Sequence, residues 1–97
     1  MIFNICEAIQ NREIIQFYYD GGLRVVEPYC YGESGKGNLV LRGFQIEGYS
    51  SSGESVGWKL FKIDEMVNIS FSGHKFTGTR PNYNPNDRGM IRIICNV

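Results

Sequence analysis

A chain of 97 residues has room for one domain and one core, so a binding site has to be a surface groove or the mouth of a barrel rather than a deep enclosed cavity. Apolar content of 42% and charged content of 21% are ordinary and argue against disorder. Ten acidic and ten basic residues leave no net charge, which excludes coating nucleic acid through bulk charge but leaves room for a local basic patch.

Asn4 is a good helix cap, and Glu7 stands where a capping-box carboxylate reaches back. Ile5, Ala8 and Ile9 follow at helical spacing, which predicts a short helix ending near Asn11 or Arg12. From Glu13 to Tyr19 the chain turns β-branched and aromatic. Asp20-Gly21-Gly22 then supplies a tight hairpin turn, and Leu23 to Tyr31 is the return strand. Pro28 has no N–H and should sit at an edge or a bulge. A turn-rich loop, 32–38, leads to a third strand from Leu39 to Tyr49, with Gly43 and Gly48 as bend points. A polar loop from Ser50 to Ser55 precedes a fourth strand from Gly57 to Ile63. Asp64 to Met66 is one short turn, and Val67 to Ser72 a fifth strand. The stretch from Gly73 to Gly89 reads as a long irregular arm, and Met90 to Cys95 as a last strand. The expectation is a mainly β fold over residues 1–97. A helix occupies 1–12, a five-strand barrel core 13–72, and the arm with a final strand 73–97.

Cys6, Cys30 and Cys95 are odd in number and widely spaced, so three buried thiols in a reducing cytoplasm are expected, with neither a disulfide framework nor a zinc knuckle. No signal peptide or membrane span is visible. The run Gly32-Glu33-Ser34-Gly35-Lys36-Gly37 is glycine-rich like a phosphate loop. Its spacing is too short, no Ser or Thr follows Lys36, and a strand follows where a helix N-terminus is needed, so it reads as a hairpin tip. His74 is the lone histidine and has no metal-ligand partners nearby in sequence. Glu27, Glu47 and Asp64 have nothing that pairs them as acid and base. No enzyme, cofactor, metal or catalytic residue is expected.

Three pieces in order resemble the WYL family. They are the short helix with Ala8-Ile9 followed by Ile14-Ile15-Gln16-Phe17-Tyr18-Tyr19, the Arg-x-x-x-Pro strand at Arg24-Val25-Val26-Glu27-Pro28, and Lys59-Leu60-Phe61-Lys62-Ile63-Asp64. Phe76, Pro81 and Tyr83 resemble the family's trailing arm. The eponymous Trp-Tyr-Leu falls on Leu39-Val40-Leu41, so only its leucine is kept, and Glu65 and Met66 replace the Arg and Ile that follow the family's Leu-Asp. The family's usual winged-helix DNA-binding domain is not within these residues. The resemblance implies a small Sm-like or SH3-like β-barrel with an N-terminal helix. It also implies a bacterial or phage ligand-sensing module, linked to transcription regulation and taking nucleic acid or a nucleotide-like anion.

Carried over by position, the basic candidates are Arg24, Arg42, Lys59 and Lys62, with Tyr29 and Trp58 as stacking faces beside Tyr31 and Phe44. The plainer alternative is that Arg42 and Lys62 form a solvated strand face, that Lys59, sharing the parity of Phe61 and Ile63, either lines the core side or lies at a strand end, and that the aromatics pack across strands. A second functional expectation is a protein-interaction or oligomerisation module, as a homo-oligomer or beside a separate DNA-binding regulator chain, docking by strand addition or an apolar patch.

Overall fold

The computed structural model of the protein describes residues 4–50 and 53–97; Ser51 and Ser52 of the expected polar loop, and the first three residues, lie outside them. The Asn4 side chain accepts a hydrogen bond from the Glu7 N–H at 3.0 Å and opens helix α1 (Ile5–Gln10). Ile5, Ala8 and Ile9 are its buried stripe, and the helix stops at Asn11.

Among the described residues, six antiparallel strands hold about half the chain: β1 (Glu13–Tyr19), β2 (Gly22–Glu33), β3 (Leu39–Gly48), β4 (Gly57–Lys62), β5 (Val67–Lys75) and β6 (Arg92–Asn96). Asp20 and Gly21 both have positive φ (48° and 93°) and pair Tyr19 with Gly22, as a two-residue hairpin turn requires. Strand order is β4-β3-β2-β1-β5, and β6 pairs with β2. The long β2 serves two partners on one side: its first half pairs with β1 through Val26, its last residues with β6 from Cys30 onward. Pro28 falls in the gap between them, opposite Gly43 on β3, where the register shifts. Its missing N–H therefore costs no ladder bond on the β1 side, and a side chain on Gly43 would press on Val26 and the Glu27 carbonyl.

The sheet is not closed, which departs from the expected barrel. β4 and β5 are its ends. A 3-10 turn (Ile63–Glu65) links them, and Phe61, Met66 and Ile69 join one core, so side chains rather than ladder bonds span the opening. β5 runs three residues beyond the expected end at Ser72, and β6 begins two residues later than expected.

The sheet has two covered faces. The inner face carries Ile15, Phe17, Val26, Leu41 and Phe61 and packs under α1. The outer face carries Tyr29, Phe44 and Trp58 and packs under Phe76 and Tyr83 of the arm. No helix is long and apolar enough to cross a membrane.

One expectation about the cysteines is overturned. Cys6 of α1 and Cys95 of β6 form a disulfide, their Cα atoms 5.9 Å apart, and Cys30 alone is a free, buried thiol. The packing of α1 on β6 brings together two residues 89 positions apart, a proximity no sequence spacing reveals. Burial pushes the Cys30 thiol up to about 11, with the Asp87 carboxylate adding to it.

Candidate functional site

The six residues singled out from sequence do not form one cluster. Arg24 is 3% exposed, in the inner core. Its Nε donates to the Tyr19 carbonyl and its Nη1 to Gln45 Oε1, both at 3.2 Å, and its guanidinium lies over the rings of Tyr19, Tyr49 and Phe61 at 5.5–5.8 Å. Gln45 passes the network on to the Tyr49 carbonyl. Arg24 thus organises the core and is closed to a ligand. Lys59 lies on the same side of β4 as Phe61. Its Nζ bonds the Ser50 hydroxyl and the Glu54 carbonyl, at the strand's entrance. Tyr29, 1% exposed, sits behind Trp58 with ring centroids 4.9 Å apart.

Arg42 and Trp58 line one cavity, and Lys62 lies further along the same face. Alternation along β4 puts Trp58, Leu60 and Lys62 on the outer face, and the register sets them against Phe44, Arg42 and Val40 of β3. Trp58 to Lys62 spans about 13 Å of strand. Two cavities open along this track. One, of about 470 Å³, is lined by Tyr19, Val40, Leu60 and Lys62 and by Ser34, Gly35, Lys36 and Asn38 of the hairpin tip. The tip is a tight turn, with Ser34 and Asn38 bonded through backbone and hydroxyl. Lys36 is exposed and has no acidic partner among the described residues; Lys62 has only Glu65, at 3.9 Å. The glycine-rich run that failed as a phosphate loop therefore brings a second lysine to the groove of Lys62.

The other cavity, of about 270 Å³, is lined by Arg42 and Trp58 from the sheet and by Asn82, Tyr83, Asn84 and Asp87 from the arm. The sequence resemblance singles out Tyr83 of these, as part of the trailing arm, but not Asn82, Asn84 or Asp87. The arm is a chain of turns rather than an irregular loop. The Tyr83 N–H returns to the Arg80 carbonyl with Asn82 at φ 72°, as a Pro-Asn pair favours, and Asn84 Oδ1 accepts from the Asn86 N–H. The Pro81-Asn82 and Asn84-Pro85 dipeptides were the available signal.

Two ion pairs latch the arm. Arg80 Nε and Nη2 donate to Oε1 and Oε2 of buried Glu27, each at 2.9 Å, and its guanidinium lies 4.7 Å over the Phe44 ring. Glu27 also accepts from the Tyr29 hydroxyl. Burial, and then the Glu27 charge, push the Tyr29 hydroxyl up to about 12. Arg42 Nε and Nη2 meet Asp87 Oδ2 and Oδ1 at 2.7 and 3.2 Å, and the Gly89 N–H donates to Oδ1. Burial pushes the Asp87 carboxyl up, but Arg42 and the Gly89 N–H together draw it below the usual carboxylate value.

His74 is exposed on β5, at a shallow cavity with Glu47 and apolar Ile14, Val25 and Ile46. No group of three potential ligands for a metal ion occurs among the described residues. Comparison with family models, with curated proteins and with solved structures gives no match.

Proposed function

We propose that the protein is a ligand-binding regulatory module whose site is the outer face of β3 and β4, taking nucleic acid or a nucleotide-like anion. The observation that carries this is the alignment on one face of Trp58, Leu60 and Lys62 with Arg42, facing Lys36 across a groove. Aromatic faces beside two weakly paired lysines are what a base joined to a phosphate needs. Arg24, Tyr29 and Lys59 support the fold in this reading and do not touch ligand. The WYL resemblance, and with it the closed Sm-like barrel, belongs to the same proposal, as do a role in transcription regulation and the absence of catalysis.

The test is fluorescence anisotropy with a labelled single strand and a labelled duplex at low and near-physiological salt. Binding that weakens with salt and with Arg42→Ala/Lys62→Ala supports the reading. Flat anisotropy with both nucleic acids sinks it.

A row of exposed apolar side chains favours a second reading, a protein-interaction or oligomerisation module. Leu23, Tyr18 and Val67 are cross-strand neighbours on β2, β1 and β5, and Tyr18 and Val67 are 51% and 53% exposed. A stable dimer in light scattering that Tyr18→Ser dissolves would favour this reading.

A further inference from the structure

The smaller cavity has a more specific chemistry than the groove beside it. Trp58 and Tyr83 stand 20° from parallel with centroids 6.1 Å apart. The polar end of each ring is tied away: Trp58 Nε1 donates to the Pro81 carbonyl at 2.9 Å, and the Tyr83 hydroxyl to the Val97 carbonyl at 3.1 Å. Both rings also pack on Tyr29, with centroids 4.9 and 5.1 Å away, so what they have left to offer is the part of each face that lines the cavity. Arg42 is held in the same manner. Asp87 takes Nε and one N–H of Nη2, which leaves three of the five guanidinium N–H donors, and the Arg42 side chain keeps 28% of its surface exposed. Each of the three side chains is fixed by a bond that spares its recognition surface, the arrangement that lowers the ordering cost of binding.

Charge then selects the ligand. Asp87 is nearly buried and neutralises Arg42, so this cavity has no surplus positive charge to hold a phosphate. A neutral flat ring with acceptors on its edge meets both the stacking faces and the spare donors. The volume, about 270 Å³, falls just below the roughly 300 Å³ at which pockets for whole small molecules begin, and suits a single ring system. We propose that this cavity is a nucleobase pocket, with Trp58 and Tyr83 stacking on the base, Arg42 reading its edge and Asp87 as the residue that positions Arg42. Guanine is the preferred base, because its O6 and N7 present two adjacent acceptors to a guanidinium. The inference rests on the nucleotide-binding reading above and gives that site a direction: base at Trp58, phosphate toward Lys36 and Lys62. Leu60 stands between the two ends, since it lies between Trp58 and Lys62 on the same face of β4, pairs with Arg42 and lines the groove of Lys36 and Lys62.

Trp58 is the only tryptophan, so its emission reports this cavity alone. The protein is titrated with guanosine, cytidine and inorganic phosphate, and in parallel with a labelled guanine-containing single strand read by anisotropy. The expected result is a saturable change in Trp58 emission with guanosine, a weaker one with cytidine and none with phosphate. Arg42→Lys keeps the charge but loses the fork, and should weaken guanosine binding about tenfold. Asp87→Asn should weaken it too, with a urea midpoint for each variant showing that the fold is intact. If the strand binds while guanosine leaves Trp58 unchanged, the pocket is overturned and the binding face stands. If phosphate alone moves Trp58 as much as guanosine does, the cavity is an anion site and the proposal fails. If neither the strand nor guanosine binds, both readings fall.

Discussion

Under α1 the inner face is mostly apolar, built on Phe17, Leu41 and Phe61 around the buried Arg24–Gln45 pair, and the helix is joined covalently to β6 through Cys6–Cys95. Under the arm the outer face is aromatic but held by ion pairs, Arg80 with Glu27 and Arg42 with Asp87, and by single bonds from Trp58 and Tyr83 to backbone carbonyls. The first cover is permanent unless the disulfide is reduced. The second is set by charge and open to competition from a ligand. A small domain whose stability resides in one face can leave the other free for binding.

The largest expected effect tests the inner cover. The Cys6–Cys95 link closes a ring of nearly the whole chain, and a loop of that length confers about 4–5 kcal/mol in the chain-entropy view. That is a large part of the total for a domain of this size. Cys6→Ser with Cys95→Ser should lower the urea midpoint accordingly, while Trp58 emission in the folded state stays as it was. A shift in that emission before global unfolding would mean that the two covers are not independent.

Next in size is the contrast between two arginines. Arg24→Ala strips Gln45 and the Tyr19 carbonyl of a charged donor and empties a site ringed by three aromatic side chains, for a loss of about 3 kcal/mol. Arg42→Ala breaks one part-exposed ion pair and should cost about 1 kcal/mol. In binding the order reverses: Arg42→Ala loses affinity, and any folded fraction of Arg24→Ala keeps it. Equal losses of stability from the two substitutions would remove the distinction between the faces.

Both arginines looked alike in the sequence, each on a strand of alternating pattern. Local signals were legible: Asn4 as a cap, Asp20-Gly21 as a hairpin turn, β1 to the residue, and the core-side parity of Lys59. What could not be read depends on contacts between distant segments. Arg24 reads as a ligand contact, by its place before Pro28, until Gln45, from the next strand, and Tyr49 close over it. The pairing of Cys6 with Cys95 needs α1 on β6. Tyr29 meets the arm at Phe76 and Cys30 meets Met90 just past its end, both on one side of β2, because the register shifts between Pro28 and Cys30, which breaks the alternation that sequence parity assumes. The arm's order lay in Pro-Asn and Asn-Pro turn chemistry, and its partners, Glu27 and Arg42, lie far back in the chain.

A smaller effect separates the two latches by pH. The Tyr29 hydroxyl ionises near 12 in the folded protein, against 10 when unfolded. A raised value means that its contribution is complete below pH 10 and is lost as pH rises from 10 toward 12. The Asp87 carboxyl is lowered, so its contribution is present above the ordinary carboxylate value and is lost only as pH falls below it. Trp58 emission should therefore hold steady from about pH 5 to 9 and change at both ends, with Asp87→Asn flattening the acid limb alone. An acid limb that survives Asp87→Asn would assign it to another carboxylate.

The smallest change in stability comes with the sharpest test of where the positive charge counts. Lys62 and Lys59 are three residues apart, an odd number, so they carry equal charge on opposite faces of β4. Lys62→Ala removes an exposed ammonium with one distant partner and should leave the urea midpoint within about 0.5 kcal/mol of the parent. If a phosphate of the ligand sits in the Lys36–Lys62 groove, the slope of log affinity against log salt should fall by about one for Lys62→Ala. Lys59→Ala changes the net charge by the same amount but loses its bonds to Ser50 and Glu54 at the far side, so its slope should match the parent. Equal slope changes in the two variants would mean that the ligand senses the overall field of the molecule, and that no face of the sheet is privileged.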